Sequence, residues 1–137
     1  MIRLSVPSIN EDDLAAVARV LKTGFLVQGP EVAKFEASMK AITGSKHAVA
    51  LTNCTAALQL ALLALDVRPG DLVPVTAYSW LSTANVIELC GAQPVFVDID
   101  ERTFNMCPDA LEATLARVTK TEDARRRLKA ILPVHTF

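Results

Sequence analysis

Polar and aromatic side chains follow four apolar runs of the sequence, and their types could bind an anion, stack on a ring or transfer a proton. The four groups are TNCT (residues 52–55), TAYSW (76–80), DID (98–100) and His135. Ligands of open α/β sheets bind beyond the carboxyl ends of the strands. If each apolar run before these groups is a strand, the four groups are the candidates for a ligand site.

The first group suits an anion site, and it also suits an ordinary helix cap. A helix N-terminus carries unpaired N–H groups and a partial positive charge. The small residues Cys54 and Ala56 would let a phosphate approach the backbone, and the Thr55 hydroxyl could add a donor. Thr52 or Asn53 could instead cap the helix, and no GxGxxG or Walker pattern decides between the two. On these residues alone, capping is the commoner explanation.

The other three groups also allow a functional and a structural interpretation. Trp80, the only tryptophan, could stack on a flat ring, although an isolated tryptophan more commonly fills a core or an interface. Asp98 and Asp100 could act as acid and base, but such residues before a loop more commonly make turns, so we assign them no catalysis. His135 follows an apolar strand, where a hydrogen-bonded core histidine is the commoner case.

Apolar periodicity predicts the elements that would carry these groups. We expect helices over residues 11–22, 30–42, 54–65, 81–89 and 108–118, strands over residues 47–51, 72–76, 94–97 and 130–134, and a charged connector over residues 120–129. Alternating helices and strands, with strands that are apolar throughout, predict a three-layer α/β/α fold with a mostly parallel sheet. Pro74 counts against a regular ladder in the second strand, because it lacks an N–H donor.

Composition narrows the class of protein. The chain has 137 residues, 51% of them hydrophobic, and a formal net charge of -1, which fits a globular protein and argues against a nucleic-acid or anionic-membrane partner. Three well-separated cysteines without a CxxC motif predict reduced thiols and no metal site. The first 14 residues lack the pattern of a signal peptide, and no apolar run is long enough to span a bilayer, so we expect a soluble, cytoplasmic protein.

Five motifs, taken in order, resemble the DegT family of PLP-dependent nucleotide-sugar aminotransferases, which have fold type I. The motifs are GFLVQGPEVAKFE (24–36), TNCTAALQLAL (52–62), RPGDLVPVTAYSWLSTANVI (68–87), GAQPVFVDIDERTFNMCPDALE (91–112) and ILPVHTF (131–137). The resemblance implies pyridoxal 5′-phosphate (PLP) as the cofactor. Its phosphate would be held by the backbone amides of Cys54, Thr55 and Ala56, and its pyridine ring would stack on Trp80. Gln28 would lie near the substrate in an active site shared across a homodimer.

The resemblance also implies an activity that this chain lacks the residues to complete. The family transfers an amino group from an amino acid, usually glutamate, to a keto sugar carried on a nucleotide. Its Schiff-base lysine and its acid at the pyridinium nitrogen lie beyond the matched region, and none of the six lysines here falls at a matching position. We therefore expect no catalytic residue in this chain and no activity from it alone.

The implied organisation is the N-terminal part of an enzyme more than twice as long. Residues 1–46 would form a helical arm, and residues 47–137 would form the N-terminal half of the PLP-binding large domain. The predicted strand over residues 47–51 would then lack its sheet neighbours. Two alternatives stay open: a PLP-dependent sugar dehydratase of the same family, and a non-catalytic protein that binds a phosphorylated ligand or a partner chain.

Overall fold

Two units that part after Ala50 make up the fold, in a computed structural model that describes residues 6–136. The first five residues, which belong to the stretch tested for a signal peptide, and Phe137, which ends the ILPVHTF motif, lie outside the described range. Among the described residues, no helix has the length and apolar content that a bilayer crossing requires. The same residues contain no cluster of His, Cys, Asp or Glu side chains arranged to hold a metal ion.

The first unit contains two helices, α1 (Glu11–Thr23) and α2 (Pro30–Thr43). The sequence predicted both, with each helix ending one residue later than expected. Asn10 and Asp13 form a capping box at the start of α1: the Asn10 Oδ1 accepts the Asp13 N–H, and Asp13 Oδ2 accepts the Asn10 N–H. Gly24 ends α1 in the left-handed region at φ 75°, which a glycine adopts without steric cost.

The predicted strand over residues 47–51 is wrong, because these residues have no strand pairing in the structure. A β-strand is stable only when a neighbouring strand receives its hydrogen bonds. Here the Ala50 N–H donates instead to the side chain of Glu36 on α2, over 2.9 Å. That bond satisfies one backbone donor of a segment that lacks a partner strand.

The second unit alternates helices and strands as predicted. Its elements are α3 (Cys54–Ala64), β1 (Leu72–Thr76), α4 (Ser82–Leu89), β2 (Gln93–Val97), α5 (Pro108–Val118) and α6 (Glu122–Arg127). The helix α6 lies inside the stretch expected to be a charged connector, so that expectation is wrong. The Thr121 side chain caps α6 by accepting the Ala124 N–H, and acidic residues in its first turn pair with arginines in its last.

The sheet is parallel, as predicted, but it is small. The strands β1 and β2 pair in register from Leu72 opposite Gln93 to Thr76 opposite Val97. On the other side of β1, the expected strand over residues 130–134 is wrong as a continuous strand. Only two isolated parallel bridges form there, from Leu128 and Leu132 to β1.

Pro74 explains why the third segment does not extend into a full ladder. The Leu132 N–H donates to the Pro74 carbonyl over 2.8 Å, and the Thr76 N–H donates to the Leu132 carbonyl over 3.4 Å. In a parallel strand, every second residue forms its hydrogen bonds with the same neighbouring strand. Residue 74 faces the third segment, and its N–H would be the next donor, but proline has none. The reservation that the sequence placed on Pro74 is therefore confirmed.

The core lies on both faces of this sheet, in three layers. Val73 and Val75 are fully buried and pack with residues of α3 and α4, among them Leu62 and Ile87. Side chains along a strand point alternately to the two faces of the sheet. Val95 and Val97 of β2 pair with Pro74 and Thr76 of β1. They therefore point to the face opposite Val73 and Val75, where α5 contacts β2. These helices on both faces are the three-layer arrangement expected from the sequence.

The helix α3 is buried on one side only. Leu62 is its one buried residue, whereas Leu60 and Leu63 are half exposed. Nearly every side chain of α3 is apolar, yet its outer face stays exposed among the described residues.

Candidate functional site

The N-terminus of α3 combines a helix cap with free backbone donors. The Asn53 Oδ1 accepts the Ala56 N–H over 2.8 Å, so the capping interaction considered from the sequence is present. The N–H groups of Cys54 and Thr55 have no acceptor among residues 6–136, and both side chains are exposed. The helix cap and an anion site can therefore coexist. The N–H groups of Cys54 and Thr55 and the Thr55 hydroxyl stay available, while the Ala56 N–H is already donated to Asn53.

Topology brings this helix terminus and Trp80 to one edge of the sheet. The helix α3 leads into β1 and α4 leads out of it, so both helices run against the strand direction and begin at the carboxyl edge. The two helices pack on one another. Trp80 lies in the loop between β1 and α4, with 81% of its surface exposed. Two of the groups singled out in the sequence thus share the edge at which ligands of parallel sheets bind.

Trp80 lines an open cleft of about 460 Å³ at this edge. The lining residues are Tyr78, Ser79, Trp80, Val134, His135 and Thr136. The Ser79 and Thr83 hydroxyls share a hydrogen bond of 2.8 Å, which ties the loop to the first turn of α4. This bond joins the loop to α4 at the residue next to Trp80.

His135 is exposed and lines the cleft, so the interpretation as a core histidine is wrong. The reason is that the strand expected before it is reduced to isolated bridges, which leaves residues after Leu132 at the surface. Tyr78, to which the sequence assigned no role, lies in the same cleft. Only the position of both residues after strand-like runs signalled that they would share the edge with Trp80.

Asp98 and Asp100 make turns, as the sequence favoured. The Asp100 Oδ1 accepts the N–H groups of Thr103 and Arg102, each over 3.0 Å. These two bonds, first that from Thr103, lower the pKa of the Asp100 carboxyl below its ordinary value. Asp98 Oδ1 accepts the Ile99 N–H over 2.8 Å. Both carboxylates are engaged in local structure and neither lines the cleft.

These features fit a cofactor with a phosphate and a flat ring. Small side chains and free N–H groups at the start of α3 suit the phosphate, and the exposed Trp80 face suits the ring. The six lysines are all exposed, and none of them lines the cleft. The described residues thus offer binding groups without a lysine at the ring.

A match to a family model identifies the kind of protein to which this edge of the sheet belongs. The model of the DegT/DnrJ/EryC1/StrS aminotransferase family matches residues 7–137. The chain belongs to this family. The resemblance inferred from the five motifs is confirmed, and so is the fold class, an incomplete α/β domain of fold type I with a small parallel sheet.

Relatives of this DegT-family chain agree over nearly its whole length. It is 44% identical over 131 residues to the spore coat polysaccharide biosynthesis protein SpsC of Bacillus subtilis (strain 168), which covers 96% of the chain and 31% of the relative. A DegT DnrJ EryC1 StrS aminotransferase from Brucella abortus superposes with a TM-score of 0.81 at 39% identity, over 90% of this chain and 32% of that one.

A third relative bears on the cofactor. Spr1654 from Streptococcus pneumoniae, assigned as a sugar aminotransferase and solved in its PMP form, superposes with a TM-score of 0.83 at 36% identity, over 99% of this chain and 32% of that one. PMP is the aminated form of PLP, so PLP is the cofactor expected of this DegT-family chain. The chain spans about a third of the length of each of these relatives.

Proposed function

We propose that this chain supplies the cofactor-binding edge of a PLP-dependent sugar aminotransferase. The parent enzyme would move an amino group from an amino acid, expected to be glutamate, to a keto sugar linked to a nucleotide. It would act in the cytoplasm as a homodimer, in the biosynthesis of polysaccharide or antibiotic sugars. Residues 47–137 would be the N-terminal half of its PLP-binding domain, and residues 1–46 its helical arm.

One observation carries this proposal: in a chain of this family, a helix terminus with free N–H groups and an exposed tryptophan lie at the same carboxyl edge of a parallel sheet. PLP carries both a phosphate and a flat ring, so it needs one partner for each at that edge. An ordinary cap would explain Asn53, but it does not explain an indole left 81% exposed at the same edge.

The residues of this chain would bind and orient the cofactor. The N–H groups of Cys54 and Thr55 and the Thr55 hydroxyl would hold the phosphate, aided by the positive end of α3. Trp80 would cover one face of the ring and exclude water from it. Ala56 would contribute its N–H only if the Asn53 side chain moved away, because that N–H is already donated. When bound, PLP supplies the electron sink that amino transfer needs.

No described residue is assigned to catalysis, and we propose that the chain alone is inactive. A lysine that bonds to PLP must lie at the ring, and none lines the cleft. The residues that complete the site would come from the rest of the parent enzyme. Aminotransferase and dehydratase differ at that missing position, so both remain compatible with these residues.

The phosphate contact is tested by titrating PLP into the chain and following the fluorescence of Trp80, the only tryptophan. Thr55→Val removes one donor to the phosphate, and we expect affinity to fall about 12- to 160-fold, the equivalent of one hydrogen bond to a charged group. Thr114→Val is the matched control, since Thr114 lies on α5, on the opposite face of the sheet. Pyridoxal, which lacks the phosphate, should bind more weakly than PLP. Equal binding of PLP and pyridoxal would refute the phosphate site.

A further inference from the structure

Two backbone hydrogen bonds close the turn formed by residues 100–105. The Asp100 N–H donates to the Asn105 carbonyl over 2.9 Å, and the Phe104 N–H donates to the Asp100 carbonyl over 2.8 Å. Phe104 lies in the left-handed region at φ 57°, which is unusual for a bulky residue. Such a conformation persists only where its surroundings hold it, so the contacts made by this turn have a structural reason to be sought.

One of these contacts reaches the wall of the cleft that carries Trp80. The Phe104 ring lies 5.5 Å from the Tyr78 ring, tilted by 43°. Aromatic pairs at this separation attract one another. Tyr78 is itself a lining residue, two positions before Trp80, so the turn contacts this wall through Tyr78.

The other contacts reach the opposite wall. The Thr136 N–H donates to Asn105 Oδ1, and the Thr136 hydroxyl donates to the Phe104 carbonyl, both over 3.1 Å. More than 30 residues separate the partners, so these are tertiary bonds between the turn and the end of the described chain. Thr136 follows His135, and both line the cleft.

The geometry points to the 100–105 turn as a clamp that joins the two walls of the Trp80 cleft, with Asn105 as the positioning residue. None of the turn's residues lines the cleft, so it acts through Tyr78 and Thr136. The clamp sets how far His135 lies from the indole, and hence the space that a ring stacked on Trp80 can occupy. Its effect on cofactor binding rests on the proposed function, whereas the link between the walls does not.

Hydrogen exchange of the full chain tests the link. Asn105→Ala removes the acceptor of the Thr136 N–H, and this amide should exchange about 2- to 12-fold faster, as expected for loss of one hydrogen bond. The amide of Val75 in the core should keep its rate. Asn105→Asp retains an oxygen acceptor and should restore slow exchange. Asn85→Ala, at an exposed position on α4, is the matched control and should change neither amide.

Two results would overturn the clamp. One is exchange of the Thr136 amide at the parent rate in Asn105→Ala. The other is an equal acceleration of the Val75 amide, which would indicate general destabilisation. A second pair of variants tests the same link if Asn105→Ala fails to fold. Thr136→Val removes only the hydroxyl bond to Phe104 and should accelerate exchange at position 136, whereas Thr136→Ser should not.

PLP titration then separates the clamp from the proposed function. If the parent chain binds PLP and Asn105→Ala binds it more weakly, with recovery in Asn105→Asp, the positioning role is supported. Equal PLP affinity of the parent and Asn105→Ala refutes that role. If the parent itself fails to bind PLP, the proposed function fails, and the exchange rates at Thr136 still decide whether the turn joins the two walls.

Discussion

Trp80 is the residue on which the proposed stacking of a ligand ring depends. A large aromatic side chain usually buries most of its surface, yet here 81% of it is exposed at the carboxyl edge of the sheet. The loop that carries it is tied to α4 by the Ser79–Thr83 hydrogen bond, so the ring does not owe its exposure to a loose loop. An indole exposed in this way leaves its face open to the stacking proposed for a flat ligand.

Replacing Trp80 tests whether stacking contributes to PLP binding. Trp80→Leu removes the aromatic face, and we expect PLP affinity to fall about 2- to 12-fold, the equivalent of one aromatic pair. Trp80→Phe keeps an aromatic face and should retain most of the affinity. Absorbance of PLP is the measurement, since these variants lose the fluorophore. Phe96→Leu, at another exposed ring, is the control. Unchanged affinity in Trp80→Leu would rule out stacking on Trp80.

Asp100 predicts a titration that can be followed at the 100–105 turn. Hydrogen bonds from Thr103 and Arg102 favour its ionised form, and its folded-state pKa is therefore below the ordinary value. A lowered carboxyl pKa stabilises the fold above the unfolded-state pKa of about 3.9, and this stabilisation is lost as pH falls through the folded-state pKa. The amide NMR shifts of both donors should titrate with a midpoint below about 3.9. Asp100→Asn should abolish the titration, and a midpoint at or above that value contradicts the assignment.

At the scale of elements, the start of α3 combines a cap with unpaired donors. Its cap uses the Ala56 N–H and leaves those of Cys54 and Thr55 free, because an Asn side chain satisfies one donor of the four that begin a helix. Leu62 of α3 packs in the core against the sheet. The cap therefore stabilises the helix and leaves two N–H groups for the proposed phosphate contact.

Removing the cap should cost stability. Asn53→Ala eliminates the acceptor of the Ala56 N–H, and the free energy of unfolding should fall by about 1 kcal/mol, within the usual range for N-caps. Urea denaturation followed by circular dichroism measures the change. Asn85→Ala, on the exposed side of α4, should change it by no more than about 0.5 kcal/mol. A loss in Asn53→Ala no larger than in this control would show that the cap contributes nothing.

At the scale of the whole molecule, all six lysines are exposed and none of them lines the Trp80 cleft. A lysine that bonds to PLP at neutral pH needs a desolvated or electropositive site, which exposed side chains do not have. The exposure of these amines is the physical basis for expecting an inactive chain.

Reduction with borohydride in the presence of PLP tests that expectation. We expect label to be scattered over several lysines at low occupancy, as measured by peptide mass spectrometry. Thr55→Val should leave this pattern unchanged, because scattered labelling does not depend on the phosphate site. Stoichiometric labelling of a single lysine would mean that the chain holds its own reactive amine, and the expected inactivity would be wrong.

Elements that depend on local sequence features were predicted well. The strand β1 and the helix α5 were predicted to the residue, since an apolar run bounded by turns and a proline at a helix start are local features. The helix α6 was missed because it is short and has no apolar periodicity; its ion pairs and its cap stabilise it.

The candidate site was predictable only as a set of strand ends. Trp80 and the start of α3 were predicted at one edge from topology, which parallel pairing dictates. The contact of Asn105 with Thr136 was not predictable, because it spans 31 residues and depends on how the turn closes. The exposure of His135 followed from the shortened pairing of its strand, which Pro74 suggested without determining its extent.

Pro74 has a consequence for the order in which the parts of the sheet fold. The pairing of β1 with β2 is continuous, whereas the segment around Leu132 is attached by isolated bridges beside a missing donor. Weakly attached segments open at a lower free energy than the core. We therefore expect the wall of His135 and Thr136 to detach first under mild denaturant and to settle last during refolding. The cleft would then be the final feature to form, after β1 and β2 have paired.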